Sequence, residues 1–219
     1  MGDYLPGRSD LDLAAVVHGP LSAELREGVL AGMRHESLPC PARLLELVVY
    51  RLDTTRSGST ASGFELNLNT GRGTPLLVQS HGTAGDVGFH WFAIDRSVLS
   101  QAGVALDGPP AAEVFAPVTP RELMPALLES IRWHRERGPE GSDAVLNACR
   151  SLRFAIDERW SAKPAAGRWA VEHDFAPEDL VDRAIGARMG TTTLDRQEIA
   201  GFLAAVEARL RQVATHERP

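Results

Sequence analysis

Two aspartates stand one residue apart at the head of an apolar run near the start of the chain. Asp10 and Asp12 belong to the segment GRSDLDLAAVV, residues 7–17. In a β-strand, residues i and i+2 project from the same face, so the two carboxylates point the same way. Like charges at that spacing repel unless a cation lies between them, and Mg²⁺ prefers such oxygen ligands. The alternative is a pair of solvated side chains at a strand end.

A third carboxylate lies inside an apolar segment further along. Glu46 sits in LLELVVY, residues 44–50, with two apolar residues before it and three after it. A charge buried in mid-strand without a partner costs several kcal/mol. Either this strand is an edge strand with Glu46 facing outward, or it lies beside the aspartates and completes a three-carboxylate cluster. Such a cluster suits metal-assisted phosphoryl or nucleotidyl transfer, in which a carboxylate takes the proton of an acceptor hydroxyl.

The elements that would position these carboxylates are short. Residues 11–17 and 44–52 are Val- and Leu-rich runs of strand length, and residues 21–36 between them have helical spacing. Residues 64–71, FELNLNTG, alternate apolar and polar side chains and predict a strand that ends in a turn. Residues 72–88 contain many Gly, Thr and Ser residues and are predicted to form a loop.

The second half of the chain has helical periodicity. Thr119, Pro120 and Glu122 form a capping box that opens a helix, with Thr119 as the N-cap. Four more helices are predicted, beginning near Ser142, near Pro164, at residue 177 and at residue 194. Five helices in this length predict a small bundle.

These patterns divide the chain into two domains of different character. We expect a domain of strands and helices over residues 1–117 and an all-α domain over residues 118–219, which together give an α+β protein. The net charge of −6 and the isoelectric point near 5.7 argue against a protein that binds nucleic acid through its phosphates. Two isolated cysteines and the lack of a long apolar run predict a cytoplasmic protein without a membrane partner, and we expect a monomer.

Two parts of the sequence resemble known families. DYLPGRSDLDL, residues 3–13, resembles the second half of the signature of polymerase-beta-like nucleotidyltransferases. Residues 106–118 and 143–173 resemble the streptomycin/spectinomycin adenylyltransferases, including their C-terminal helical domain. The resemblance implies transfer of AMP from ATP, with Mg²⁺, to a hydroxyl of an aminoglycoside or aminocyclitol, with release of pyrophosphate. An acidic chain suits such a polycationic acceptor.

The resemblance also implies roles for individual residues. Asp10 and Asp12 match magnesium ligands, and Glu46 matches the catalytic base and completes the predicted metal-binding carboxylates. Lys163 matches a lysine that reaches the ATP phosphates, and Arg150 matches a position near the nucleotide. The residues matched to aminoglycoside contacts are Trp133, Glu140 and Asp143.

One departure from the family pattern concerns the start of the sequence. The Gly-Ser pair that holds nucleotide phosphates in the family would precede Gly2, so we expect the first strand and helix of the family fold to be missing and ATP binding to be weakened. Two other functions stay open: a nucleotidyltransferase of the same fold that acts on another small molecule or on a protein, and an inactive truncated paralogue.

Overall fold

The chain folds into two compact units in a computed structural model that describes residues 1–61, 63–82, 88–136 and 141–216. One unit comprises Tyr4–Pro117 and contains the sheet. The other comprises Val118–Pro219 together with Met1–Asp3, and it is helical. Each unit is described below by itself.

A four-stranded mixed sheet forms the centre of the first unit. Its strands are adjacent in chain order, β1-β2-β3-β4, with β1 and β2 parallel and the other two pairs antiparallel. The bounds are β1 Leu11–Val17, β2 Leu45–Arg51, β3 Phe64–Gly71 and β4 Thr74–Gly82. Because β2 lies between β1 and β3, each side chain in the middle of β2 has a neighbouring residue on β1 and another on β3.

Within the described part of this unit, four helices accompany the sheet and cover its two faces. They are α1 Ala23–Met33, α2 Leu52–Arg56, α3 His90–Ala102 and α4 Ala111–Val114. On one face, Leu47 and Val49 of β2 pack with α1 residues such as Val29. On the other face, Val48 and Tyr50 pack with residues that include Phe92 of α3 and Phe115. This second face is the one that carries Glu46, since residues 46, 48 and 50 share a side of the strand.

The predicted loop over residues 72–88 is wrong over residues 74–82, which form strand β4, while residues 83–87 lie outside the described residues. Arg72 and Gly73 make the turn of a β3–β4 hairpin, with Gly73 at φ 70°, a backbone angle that favours glycine. All residues of β4 except Gly82 are exposed, so this edge strand has no buried side and shows none of the alternation that predicts a strand.

The described residues of the second unit form a bundle of five helices around an apolar core. The bounds are α5 Pro120–Glu136, α6 Gly141–Asp157, α7 Lys163–Glu172, α8 Glu178–Met189 and α9 Arg196–His216. The capping box forms as the sequence predicts: Thr119 N–H donates to Glu122 Oε2 at 2.9 Å, and Glu122 N–H donates to Thr119 Oγ1 at 3.3 Å. The predicted α+β class is confirmed.

Membrane-spanning helices are not found among the described residues, since none of their helices combines the length and the apolar character that a bilayer crossing needs.

Candidate active site

Three polar side chains form a row across the sheet. Strand register pairs Asp12 of β1 with Glu46 of β2, and Glu46 with Asn69 of β3. Residues paired in this way lie side by side on one face of a sheet. Asn69 Nδ2 donates to Glu46 Oε1 at 3.3 Å. Glu46 thus lies on an interior strand beside Asp12, and the edge-strand alternative does not apply.

Asp10 lies at the entrance to β1, two residues before Asp12, and it has a cationic neighbour. Arg43 Nη2 donates to Asp10 Oδ2 at 2.6 Å, with the Asp10 side chain one quarter exposed. Asp10 Oδ1 is buried and accepts no hydrogen bond from the described residues. One oxygen of this carboxylate is therefore neutralised by the protein and the other has unused acceptor capacity.

The environment of Glu46 changes its acidity. Burial first, and then the negative charges of Asp12 and Asp10, raise the pKa of Glu46 to about 7, with Arg43 acting in the opposite direction. The acid form of Glu46 also gains a hydrogen bond to Asp12. A carboxylate with a pKa near neutrality is suited to accept and release a proton at physiological pH.

A magnesium ion fits this carboxylate set only in part. The described residues contain no group of three or more His, Cys, Asp or Glu side chains that could hold a metal ion by themselves. Mg²⁺ commonly needs only one or two carboxylates when substrate phosphates supply further oxygens. The unsatisfied Oδ1 of Asp10, together with the nearby Asp12, fits an ion that shares its coordination with a triphosphate.

The second group of predicted site residues lies in the helical unit. Lys163 Nζ forms an ion pair with Asp143 Oδ1 at 2.8 Å, joining the first turns of α7 and α6. The charges of both residues act on the buried His134 of α5. The ring of Trp133, the preceding residue, meets that of His134 edge-on with centroids 5.1 Å apart. The structure therefore gathers Trp133, Asp143 and Lys163 at one end of the bundle.

Arg150 of α6 is held by main-chain and aromatic groups. Its Nε donates to the Ser161 carbonyl oxygen at 3.0 Å, and its guanidinium lies 5.4 Å from the ring centroid of Trp160. Trp160 in turn stacks on Phe154 at 4.5 Å. These contacts fix the guanidinium in one orientation.

Glu140 lies outside the described residues, so its predicted contact with the acceptor stays a prediction. The remaining predicted residues form two groups, one in each unit: Asp10, Asp12 and Glu46 on the sheet, and Trp133, Asp143, Arg150 and Lys163 on the helices.

Three further residues of these groups were missed by the sequence reasoning. They are Arg43 and Asn69, which contact Asp10 and Glu46, and Arg188 of α8, which binds Asp3 near Lys163. Asn69 had a local signal, because an asparagine inside the alternating strand FELNLNTG is unusual. Arg43 and Arg188 had none, since their contacts depend on pairing between distant segments.

Comparison with known proteins gives a family match for the helical half. Residues 113–213 match the family described as aminoglycoside adenylyltransferase, C-terminal domain. The fold is similar to the crystal structure of spectinomycin adenyltransferase AAD(9) from Enterococcus faecialis with ATP and spectinomycin, with a TM-score of 0.63 at 13% identity, covering 96% of this chain and 87% of that chain. No curated protein matches the chain. The predicted resemblance to the aminoglycoside adenylyltransferases is confirmed, by the family match over residues 113–213 and by the similarity in fold.

Proposed function

We propose that this chain, whose residues 113–213 carry an aminoglycoside adenylyltransferase C-terminal domain, transfers AMP from ATP to a hydroxyl of an aminoglycoside or aminocyclitol. The acceptor is of the streptomycin or spectinomycin type, pyrophosphate is released, and the modified antibiotic no longer acts. The observation that carries the proposal is the row of carboxylates on the sheet, in which Glu46 has a pKa of about 7 beside Asp10 and Asp12.

Glu46 acts as the general base. The acceptor hydroxyl oxygen forms a bond to the α-phosphorus of ATP, the bond from that phosphorus to the bridging oxygen breaks, and pyrophosphate leaves. The hydroxyl proton passes to Glu46, whose raised pKa makes it a stronger base than an ordinary carboxylate. The hydrogen bond from Asn69 to Oε1 of Glu46 orients the carboxylate and leaves its other oxygen for the acceptor.

Asp10 and Asp12 would hold a magnesium ion, which when bound neutralises charge on the triphosphate and on the leaving pyrophosphate. Arg43 pairs with Oδ2 of Asp10 and leaves Oδ1 for the ion. Glu46 needs no share in this coordination to serve as base.

The helical unit supplies cations and an acidic surface. Arg150 and Lys163 bind phosphate oxygens of ATP, for which guanidinium and ammonium groups are suited donors. Trp133, Glu140 and Asp143 contact the acceptor, and the negative charge of the two carboxylates attracts its amino or guanidino groups.

The test is magnesium-dependent pyrophosphate release from ATP, measured with streptomycin and with spectinomycin in turn. We expect release that requires one of the antibiotics. Glu46→Gln should lower kcat by about a hundredfold to ten-thousandfold, the range typical for loss of a general base.

The matched control is Glu27→Gln, which removes an exposed carboxylate from α1 in the same unit. We expect it to keep the wild-type rate. Release that continues in Glu46→Gln would overturn the assignment of the base. If neither antibiotic stimulates release, the proposed acceptor class is wrong.

A further inference from the structure

A carboxylate from the first residues of the chain is bound by the helical unit. Asp3 Oδ2 accepts hydrogen bonds from Arg188 Nη1 at 2.9 Å and from Lys163 N–H at 3.1 Å. Arg188 Nη2 also donates to the main-chain oxygen of Asp3 at 3.3 Å. Arg188 lies in the last turn of α8 with its side chain only 10% exposed, and Lys163 is the first residue of α7. Donors from two helices therefore converge on one carboxylate oxygen.

The surroundings of Asp3 are strongly cationic. The charge of Arg150 also acts on Asp3, and Arg150 Nη2 lies 3.5 Å from Met1 Sδ. Burial alone would raise the pKa of Asp3, yet the hydrogen bond and charge of Arg188, the Lys163 amide and the charge of Arg150 together hold that pKa below its ordinary value. Asp3 is thus ionised at neutral pH. We call Arg150, Lys163 and Arg188 the basic cluster.

The basic cluster offers what a phosphate oxygen requires. A buried guanidinium forms short, charge-assisted hydrogen bonds with carboxylates and phosphates alike. The amide at the start of α7 adds the positive end of a ten-residue helix, which favours either anion. The side chain of Asp3 supplies a single charged oxygen to this position, whereas a polyphosphate could supply several.

We infer that the carboxylate of Asp3 is an internal competitor for the polyphosphate of ATP, bound in the basic cluster in its place, and that Arg188 is a phosphate ligand once Asp3 has left. This inference rests on the proposed function, which assigns Arg150 and Lys163 to the phosphates. It adds a third phosphate ligand and a means of regulation, because the segment that carries Asp3 must be displaced before the nucleotide binds.

The size of the effect follows from the contacts of Asp3. A hydrogen bond between charged groups is stronger than one between neutral groups, and partial exposure of Asp3 weakens it. Since a factor of ten in affinity corresponds to about 1.4 kcal/mol, removal of the competing charge should tighten polyphosphate binding by about tenfold.

The first experiment is calorimetric titration of the full chain with ATP and with inorganic tripolyphosphate, in the presence of Mg²⁺. We expect Asp3→Asn to bind both ligands about tenfold more tightly than the wild type. The control is Glu172→Gln, which removes one negative charge from the exposed last turn of the same helix, α7, and should leave both affinities unchanged.

The second experiment places Arg188→Gln in the wild-type and in the Asp3→Asn background. We expect a larger loss of tripolyphosphate affinity in the Asp3→Asn background, where Arg188 is available to the ligand. Equal losses in both backgrounds would overturn its role as a phosphate ligand that Asp3 occupies.

Other outcomes separate this inference from the proposed function. Unchanged or weaker binding by Asp3→Asn, with a lower melting temperature, would make Asp3 a structural clamp and overturn the competition, even if antibiotic-dependent pyrophosphate release is observed. Tighter tripolyphosphate binding by Asp3→Asn without any such release would support the competition and refute the proposed reaction. If no variant binds either ligand, the competition is refuted.

Discussion

Glu46 occupies a position that favours chemistry at the expense of stability. Its carboxylate is partly buried on an interior strand, with Asp12 directly beside it and Asp10 nearby. Each of these neighbours disfavours the ionised form. Arg43 and Asn69 offset this cost only in part, because Arg43 pairs with Asp10 and Asn69 contributes one long hydrogen bond. If Glu46 had only a structural role, an uncharged residue in its place would cost the protein little stability.

We therefore expect Glu46→Gln to stabilise the folded protein while it lowers kcat. The pKa of Glu46 in the folded state is about 7, above the ordinary value of 4.5. The folded protein therefore has its full stability below pH 4.5, where Glu46 is protonated, and loses part of it as the pH rises through 7. The variant should exceed the wild type in free energy of unfolding by about 2–3 kcal/mol above pH 7, and by little at pH 4.5.

Urea unfolding in metal-free buffer at a series of pH values measures this difference, with Glu27→Gln as the reference. A Glu46→Gln chain that is less stable than the wild type at pH 8 would contradict the account of its environment.

Spacing alone was sufficient to single out the three carboxylates, because Asp-x-Asp and a glutamate inside an apolar strand are local patterns. It could not supply their partners. Asn69 is 23 residues from Glu46, Arg43 is 33 residues from Asp10, and Arg188 is 185 residues from Asp3. Such contacts follow from strand register and helix packing, which no local pattern encodes.

At the scale of elements, close packing of α6, α7 and α8 depends on one glycine. Gly167 is buried in α7, and a Cβ added there would lie 2.7 Å from Val181 Cγ1 and 3.0 Å from Leu146 Cδ2. Val181 is fully buried and β-branched, so its side chain has little freedom to move. The glycine lets the start of α7, and with it Lys163, lie near Asp143 and Arg188.

Gly167→Ala should destabilise the protein although alanine is the better helix former. Overpacking costs about 1–3 kcal/mol and the gain in helix propensity is about 1 kcal/mol, which leaves a net loss of up to about 2 kcal/mol. Thermal or urea unfolding measures this loss.

Gly201→Ala in α9 is the matched control, because Gly201 is exposed and a Cβ there would meet nothing within 4 Å. It should raise stability by about 0.5–1 kcal/mol. A stabilised Gly167→Ala variant would show that the three helices can separate at no cost.

Elements with a clear local signal were predictable from the sequence, and β4, which has none, was not. The strands over residues 11–17 and 64–71 and the capping box at Thr119 match the structure because each has a local signal. These signals are a short run of Val and Leu, an alternation of apolar and polar side chains, and a capping pattern, in that order. Strand β4 was missed because pairing with β3 alone holds it, with its own side chains exposed.

At the scale of the whole molecule, one titratable group in each unit makes the free energy of unfolding depend on pH, and the two groups act in opposite directions. The sheet unit contains Glu46, whose ionisation opposes folding as the pH rises. The helical unit contains His134, a buried residue of α5 whose protonation opposes folding as the pH falls. Burial lowers the pKa of His134 to about 4, with the charge of Asp143 opposing this shift and that of Lys163 adding to it.

The contribution of His134 should be visible on the acid side. Its folded-state pKa lies below the ordinary value of 6.5, so its contribution is fully present above pH 6.5 and is lost as the pH falls toward 4. Over this interval we expect the free energy of unfolding of the wild type to fall by up to about 3 kcal/mol more than that of His134→Gln.

Unfolding of the wild type and of both histidine variants, His134→Gln and the exposed-site control His18→Gln, at pH 4–7 measures the difference. Parallel curves for wild type and His134→Gln would show that folding does not shift the pKa of His134.

The row Asp12–Glu46–Asn69 also limits which mutations a functional gene for this chain can carry. Glu46 shares one side of β2 with Val48 and Tyr50, which pack against Phe115. Loss of a single codon between these positions would shift the alternation by one residue, so that the carboxylate and the apolar side chains could no longer face the same way. Such in-frame deletions in β2 should be absent among functional alleles, whereas substitutions on the exposed strand β4 should be frequent.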